Sequence, residues 1–278
     1  MTTGILRASD GVVIAFERWP GTSAVTALYV HATGFCKEIW IPVRDELVSS
    51  GADIGGLAID QRGHGDSDLP TSSLHWSALG HDAVLAAGAV DGPVVGVGHS
   101  SGGAALCMAE AFAPGTFLAL VLIEPIVFPG PHVRVDDNPL TERALKRRRS
   151  FASAHEAAAG FKEKAAFAGW RPEAIDAYVH HGFRADEEGR WVLKCSPETE
   201  AEFYREGTSH DTWERLPEVA CPVLILAGER SDTHSTAFVE QLVARFPDAM
   251  ARVVPGASHF LPMERPEAVA LAVAQMLP

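Results

Sequence analysis

The sequence predicts an α/β chain with a mostly parallel central sheet, helices on both faces and a helical insertion. Three observations lead there. Short apolar runs recur between helical stretches over residues 26–123, the pattern of strands buried on both faces. The alternation breaks near Pro125, and residues 126–213 carry helix signals without buried strands. It resumes at Pro222-Val223-Leu224-Ile225-Leu226-Ala227-Gly228. Residues 1–125 and 214–278 are therefore read as the core, and 126–213 as the insertion.

Each element follows from local chemistry. Ile5 to Trp19 reads as a hairpin turning at Ser9-Asp10-Gly11, because Asp-Gly tolerates the positive φ of a tight turn. Thr26–Val30 is a buried strand ending in His31-Ala32-Thr33-Gly34-Phe35. A helix over Trp40–Val48 closes at Ser49-Ser50-Gly51. Ile54–Ile59 is the next strand and runs into Asp60-Gln61-Arg62-Gly63-His64-Gly65-Asp66-Ser67-Asp68. Residues 75–90, rich in Ala and Leu, read as a helix. Pro93–Val97 is a strand, Gly103–Phe112 a helix stopped near Pro114-Gly115, and Leu118–Ile123 a further strand. In the insertion, Thr141 is placed as a helix cap, Ser153 with Glu156 as a capping box, and Pro172 and Pro197 in first turns. After Pro222–Gly228 come a helix over 235–246, the strand Ala251–Val254 and a terminal helix after Pro266.

Between the strand at 93–97 and its helix lies Gly98-His99-Ser100-Ser101-Gly102, a G-x-S-x-G pentapeptide. A sharp strand-to-helix turn strains its central residue and lifts that side chain clear of the sheet. Gly98 and Gly102 let the neighbouring backbone pass close by. The amides of the following helix point at the serine, where they stabilise negative charge. Ser100 is the candidate nucleophile.

A serine hydroxyl needs a base to remove its proton and a third group to orient that base. In open parallel sheets such groups gather at the carboxyl ends of strands. His259 follows the last strand, in Gly256-Ala257-Ser258-His259-Phe260, and Asp232 follows the strand 223–227, in Gly228-Glu229-Arg230-Ser231-Asp232. No H-e-x-x-H or other compact ligand spacing occurs, so no catalytic metal is expected.

Bulk properties narrow the class. Hydrophobic residues make up 47% and charged ones 21%, which supplies a large core and excludes a disordered chain. A net charge of −13 argues against a nucleic-acid partner, because phosphates would repel it. The four cysteines, Cys36, Cys107, Cys195 and Cys221, form no C-x-x-C pair, which suggests reduced thiols and a cytoplasmic protein. No signal peptide is read at the N-terminus, and no apolar stretch approaches the ~20 residues of a membrane span. The sequence is silent on oligomeric state.

Four pieces in order carry a resemblance: His31-Ala32-Thr33-Gly34-Phe35, Asp60-Gln61-Arg62-Gly63-His64-Gly65-Asp66-Ser67, Gly98-His99-Ser100-Ser101-Gly102 and Gly256-Ala257-Ser258-His259-Phe260. With them the chain resembles the α/β-hydrolase superfamily over nearly its whole length. The likeness is to its lidded branch of esterases, lactonases and carbon–carbon bond hydrolases. One departure is His31-Ala32 where the family usually has His-Gly. The resemblance implies the α/β-hydrolase fold with 126–213 as a lid, and no cofactor. It implies a triad of Ser100, His259 and Asp232, in the family's chain order. A minority of relatives place the acid after the strand beside the nucleophile's, which makes Glu124 the alternative. The oxyanion hole falls on the N–H groups of Thr33 and Ser101.

The implied substrate is a small carboxylic ester or lactone. Diketone-type carbon–carbon hydrolysis with the same triad is the runner-up, and a non-catalytic ligand-binding receptor is the rival class. Epoxide hydrolases and dehalogenases of this fold need a carboxylate where Ser100 stands. Other features are given plainer roles. His31 is expected to bond nearby backbone, His64 and His99 to be structural, and His180-His181 to form a solvated helix end. Lys146-Arg147-Arg148-Arg149 is expected to be a solvated helical face. Of Phe151, Phe161, Phe167, Trp170, Tyr178, Phe183 and Trp191, two or three are expected to face substrate, the rest to hold the lid together.

Overall fold

The computed structural model describes residues 1–70 and 74–278. A hairpin opens the chain, with β1 (Thr2–Arg7) antiparallel to β2 (Val13–Trp19). Its turn puts Gly11 at φ +88°, a conformation that a Cβ disfavours. Next come β3 (Thr26–Val30), α1 (Ile41–Ser49), β4 (Gly55–Ile59) and α2 (Ser77–Gly88). They are followed by β5 (Val94–His99), α3 (Ser101–Phe112) and β6 (Ala119–Ile123). The insertion holds α4 (Pro139–Leu145), β7 (Ser150–Phe151), α5 (Ala154–Lys162), α6 (Pro172–His181), β8 (Phe183–Ala185), β9 (Trp191–Leu193), α7 (Pro197–Glu206) and α8 (Thr212–Arg215). The chain returns to the sheet with β10 (Val223–Gly228), α9 (Thr236–Val243), β11 (Ala249–Val254), α10 (Leu261–Glu264) and α11 (Pro266–Gln275).

The main sheet has the order β1-β2-β4-β3-β5-β6-β10-β11. Neighbours from β4 through β11 run parallel, and β2 joins β4 antiparallel. Every residue of β4, β5, β6 and β10 is buried, which is why these strands read as unbroken apolar runs. The sheet divides the core. Along β3, Ala27 and Tyr29 join Val43 and Leu47 of α1 and Val269 and Val273 of α11 on one face. Leu28 and Val30 join Leu79 of α2, Leu106 of α3 and Leu242 of α9 on the other. Alternate residues serving opposite faces is the period of a strand.

The insertion departs from the all-helical expectation. It contains a small antiparallel sheet in the order β7-β9-β8. These strands are two or three residues long and partly exposed, so no apolar run marks them. Thr141 is not a cap. Pro139 sets the first turn of α4, Asn138 Oδ1 accepts the Leu140 N–H at 2.8 Å, and Thr141 lies buried inside the helix. Ser153 Oγ does accept the Glu156 N–H (3.1 Å), while the Glu156 carboxylate takes the N–H of Ala152. Pro172 and Pro197 open α6 and α7 as expected. Four aromatics of the insertion, Phe151, Phe161, Tyr178 and Phe183, pack on one another and into the core cluster on the α1 face.

Candidate active site

Ser100 sits between β5 and α3 at φ 56°, ψ −115°, outside the regions that L-residues favour. Its two flanking glycines are sterically required. A Cβ on Gly102 would lie 2.1 Å from the Val30 carbonyl oxygen, and one on Gly98 would lie 2.6 Å from the carbonyl oxygen of Gly102. The elbow is tied into the sheet by the Ser100 N–H, which donates to Ile123 O at 2.9 Å.

The second strained residue lies beside it. Among the described residues, only Ser100 and Glu124 combine a side chain with positive φ. In the β5–β6 register, His99 pairs with Ile123, so the two residues end adjacent strands one step further on. Glu124 is fully buried. Its Oε2 accepts from Ser231 Oγ (2.6 Å), Thr233 Oγ1 (2.9 Å) and His259 Nδ1 (3.1 Å), its Oε1 accepts the Gly228 N–H at 2.7 Å, and His234 Nδ1 lies 2.9 Å from Oε2. Burial works against its ionisation, but the neighbouring imidazoles of His234 and His259 outweigh it and hold its pKa well below the usual carboxylate range.

Asp232, expected here, lies apart from this arrangement. That residue is exposed, and among the described residues no hydrogen bond joins it to His259. The turn after β10 directs Ser231, Thr233 and His234 inward and leaves Asp232 outside. The turn receives a carboxylate rather than supplying one. Its run of two hydroxyls and an imidazole, Ser231-Asp232-Thr233-His234, was the available sign. No sequence motif marks His234; its Nε2 donates to Pro125 O at 3.1 Å, clamping the chain just after Glu124.

His259 has its Nδ1 engaged by Glu124, and among the described residues its Nε2 makes no hydrogen bond. Its backbone is held by His99, whose Nε2 donates to His259 O at 2.8 Å with the rings 5.1 Å apart. Burial pushes His99 down to about 3, so the ring is neutral. The residue expected to be structural thus positions the loop of His259. Ser100 Oγ makes no capping bond to α3. No hydrogen bond joins it to His259 among the described residues; such contacts are often long before substrate binds.

The turn after β3 completes the site. Ala32 O accepts from Phe35 N–H (3.2 Å) and from His31 Nδ1 (2.7 Å). In a trans peptide the N–H points opposite the carbonyl, so Thr33 N–H is turned away from both. Among the described residues no protein group accepts it. The N–H of Ser101 occupies the first position of α3, where no preceding turn supplies an acceptor. Two neutral histidines fix this turn. His31 donates through Nδ1 and accepts the Gln61 N–H at Nε2 (3.0 Å). His64 accepts the Gly34 N–H at Nε2 (2.9 Å) and faces Arg62 O through Nδ1. Burial holds His31 well below its ordinary pKa and His64 at about 4.

Several further residues fall where the sequence did not put them. The basic run is not one helical face. α4 stops at Leu145, and the chain fans out: Lys146, Arg148 and Arg149 pair with Glu142, Glu156 and Glu198 at the surface. Arg147 instead turns inward to Glu200 and Tyr178. Phe35 is packed between Trp170 and Tyr178 of the insertion and Phe260, the neighbour of His259. His181 lies 3.7 Å from Glu38 at a half-exposed helix end, and all four cysteines are buried and free. Glu124, His234 and His259 bring ligand-type atoms within 4.8 Å of one another. His259 Nδ1, however, faces Glu124 as a donor, and His234 Nε2 is turned away to the Pro125 carbonyl, so the cluster is already knit together by its own hydrogen bonds.

A family model described as the alpha/beta hydrolase family matches residues 27–273, and the chain belongs to that family. It is similar to the esterase YbfF of Escherichia coli (strain K12), 26% identical over 225 residues, or 80% of this chain and 82% of that protein. It is also similar to the abhydrolase domain-containing protein ACTT2-1 of Alternaria alternata, 24% identical over 221 residues, or 66% and 83%. Two solved structures share the fold. The peroxisomal alpha-beta-hydrolase Lpx1 of Saccharomyces cerevisiae aligns with a TM-score of 0.82 at 19% identity, covering 99% of this chain and 86% of that one. An E-2-(acetamidomethylene)succinate hydrolase aligns with a TM-score of 0.82 at 23% identity, covering 99% of both. Among the described residues no helix is long and apolar enough to cross a membrane.

Proposed function

We propose that the chain is a cofactor-free serine hydrolase that cleaves a small carboxylic ester or lactone. Ser100 Oγ attacks the carbonyl while His259 Nε2 takes its proton. Glu124, in place of Asp232, orients the imidazole and balances its positive charge. The N–H groups of Thr33 and Ser101 stabilise the tetrahedral oxyanion. His259 returns the proton to the leaving alcohol, and water activated by the same histidine then cleaves the acyl-enzyme. Residues 126–213 serve as a cap over this chemistry. Four buried, unpaired thiols fit a reducing compartment, and we place the protein in the cytoplasm on that ground.

The observation that carries this reading is the 3.1 Å contact of His259 with a carboxylate buried at the strand end beside the Ser100 elbow. The named esterase among its relatives supports an ester substrate. The test uses esters, lactones and diketones with wild type and Ser100→Ala, and intact mass after a small fluorophosphonate. Wild type turns over p-nitrophenyl butyrate or a lactone and gains the phosphonyl mass. Ser100→Ala loses at least about 10³-fold in kcat and gains no mass. A folded wild type that binds esters without turnover, or a Ser100→Ala protein within tenfold of it, sinks the proposal.

A further inference from the structure

The oxyanion turn is held from two sides, and only one side belongs to the core. Gly34 has φ +86° and both of its backbone polar groups bonded to side chains. Its N–H goes to His64 of the core, at 2.9 Å. Its carbonyl accepts the hydroxyl of Tyr178, which comes from α6 of the insertion, at 3.1 Å. Behind that hydroxyl stands a second layer, also from the insertion. Arg147 donates to Tyr178 Oη at 2.6 Å and to the Glu200 carboxylate, and Tyr204 Oη donates to the same carboxylate. Tyr178 and Glu200 are both buried. Arg147 has no acceptor lone pair, so its contact obliges the Tyr178 hydroxyl to donate forward, to Gly34.

Glu200 also guards the turn sterically: a Cβ at Gly34 would lie 3.0 Å from its Oε1. The Tyr178 ring meets Phe35 edge-on with centroids 5.2 Å apart. Burial raises Tyr178 to about 12, so the hydroxyl keeps its proton across ordinary conditions.

We infer that Tyr178, backed by Arg147 and Glu200, is a positioning residue through which the insertion sets the oxyanion turn, so that the Thr33 N–H is aligned only while α6 is docked. The inference rests on the reading of Ser100 and Thr33 given above. Closing the cap and completing the oxyanion hole are then one event, and an undocked insertion leaves a nucleophile without its charge stabiliser.

Tyr178→Phe removes the hydroxyl and keeps the ring packing. For p-nitrophenyl butyrate, kcat falls 10- to 100-fold with KM within twofold of wild type. Affinity for an alkyl boronic acid, whose adduct with Ser100 carries a tetrahedral oxyanion, falls by a similar factor. Arg147→Met gives the same pattern more weakly, and Arg147→Lys restores part of it; this pair carries the test if Tyr178→Phe does not fold. A kcat and boronate affinity within twofold of wild type overturn the inference. So does a rise in KM alone, which would make Tyr178 a substrate contact. A wild type that neither turns over esters nor takes the phosphonate ends the functional proposal instead, so the two failures are separable.

Discussion

The proposed nucleophile at the tip of β5 and the carboxylate at the tip of β6 stand side by side, yet they are held by opposite means. Ser100 is held by exclusion. The backbone of Val30 and of the elbow itself press so close that glycine is required at 98 and 102. Glu124 is held by attraction, from donors on the segment 228–233 and from His259. Steric necessity leaves a compact motif in the chain. A hydrogen-bond network assembled from distant segments leaves none, because many residue types can donate. The carboxylate therefore has to be found in space, and the serine elbow does not.

The largest test of this contrast is the choice of acid. Glu124→Gln lowers kcat by on the order of 10³ to 10⁴, because His259 loses its orienting partner and tautomer. Asp232→Asn leaves kcat within twofold, as expected of an exposed side chain with no bond to the site. Both are read from steady-state kinetics on variants whose circular dichroism matches wild type. The reverse ranking would falsify the assignment of Glu124.

A smaller test concerns two buried imidazoles, His64 at the turn after β3 and His99 at the end of β5. His64 is held at about 4 and His99 at about 3, both depressed from about 6.5 by burial. The unfolded chain therefore binds more protons than the folded one in that window. The stability of neutral His64 and His99 is fully present above pH 6.5 and is lost as pH falls toward their folded values. Asp60, raised to about 6, opposes them in part. Urea unfolding at pH 7 and pH 5 reads the difference. Stability falls between the two, and it falls less in His64→Gln, whose amide oxygen still accepts the Gly34 N–H. An identical fall in that variant removes His64 from the account.

The same division explains what the chain disclosed of its fold. β3 to β6 and β10 are buried on two faces, so burial dictates nearly every residue and the strands were legible. The strands β7, β8 and β9 are too short for a period to register, and they were missed. The elbow geometry around Ser100 is legible from its glycines, and the position of His259 from its place after the last strand. Glu124 was visible as an alternative, but its donors lie more than a hundred residues away in sequence. The inward turn of Arg147 was hidden for a related reason: its partners Tyr178 and Glu200 come from other helices.

The dihedral angles of Ser100 have an evolutionary consequence. A side chain at φ 56°, ψ −115° costs the folded state about 1–3 kcal/mol. Glycine would relieve that, less the roughly 0.5–1 kcal/mol of extra freedom it gains when unfolded. Ser100→Gly should therefore melt above Ser100→Ala, which keeps the strain, and calorimetry on the two inactive proteins would show no such gap if the strain were absent. Drift at this position thus runs downhill toward a sturdier molecule that lacks the Ser100 hydroxyl. On the role proposed for Ser100, selection for robustness alone would erase the nucleophile, so residue 100 of any descendant of this chain records whether that chemistry is still being selected.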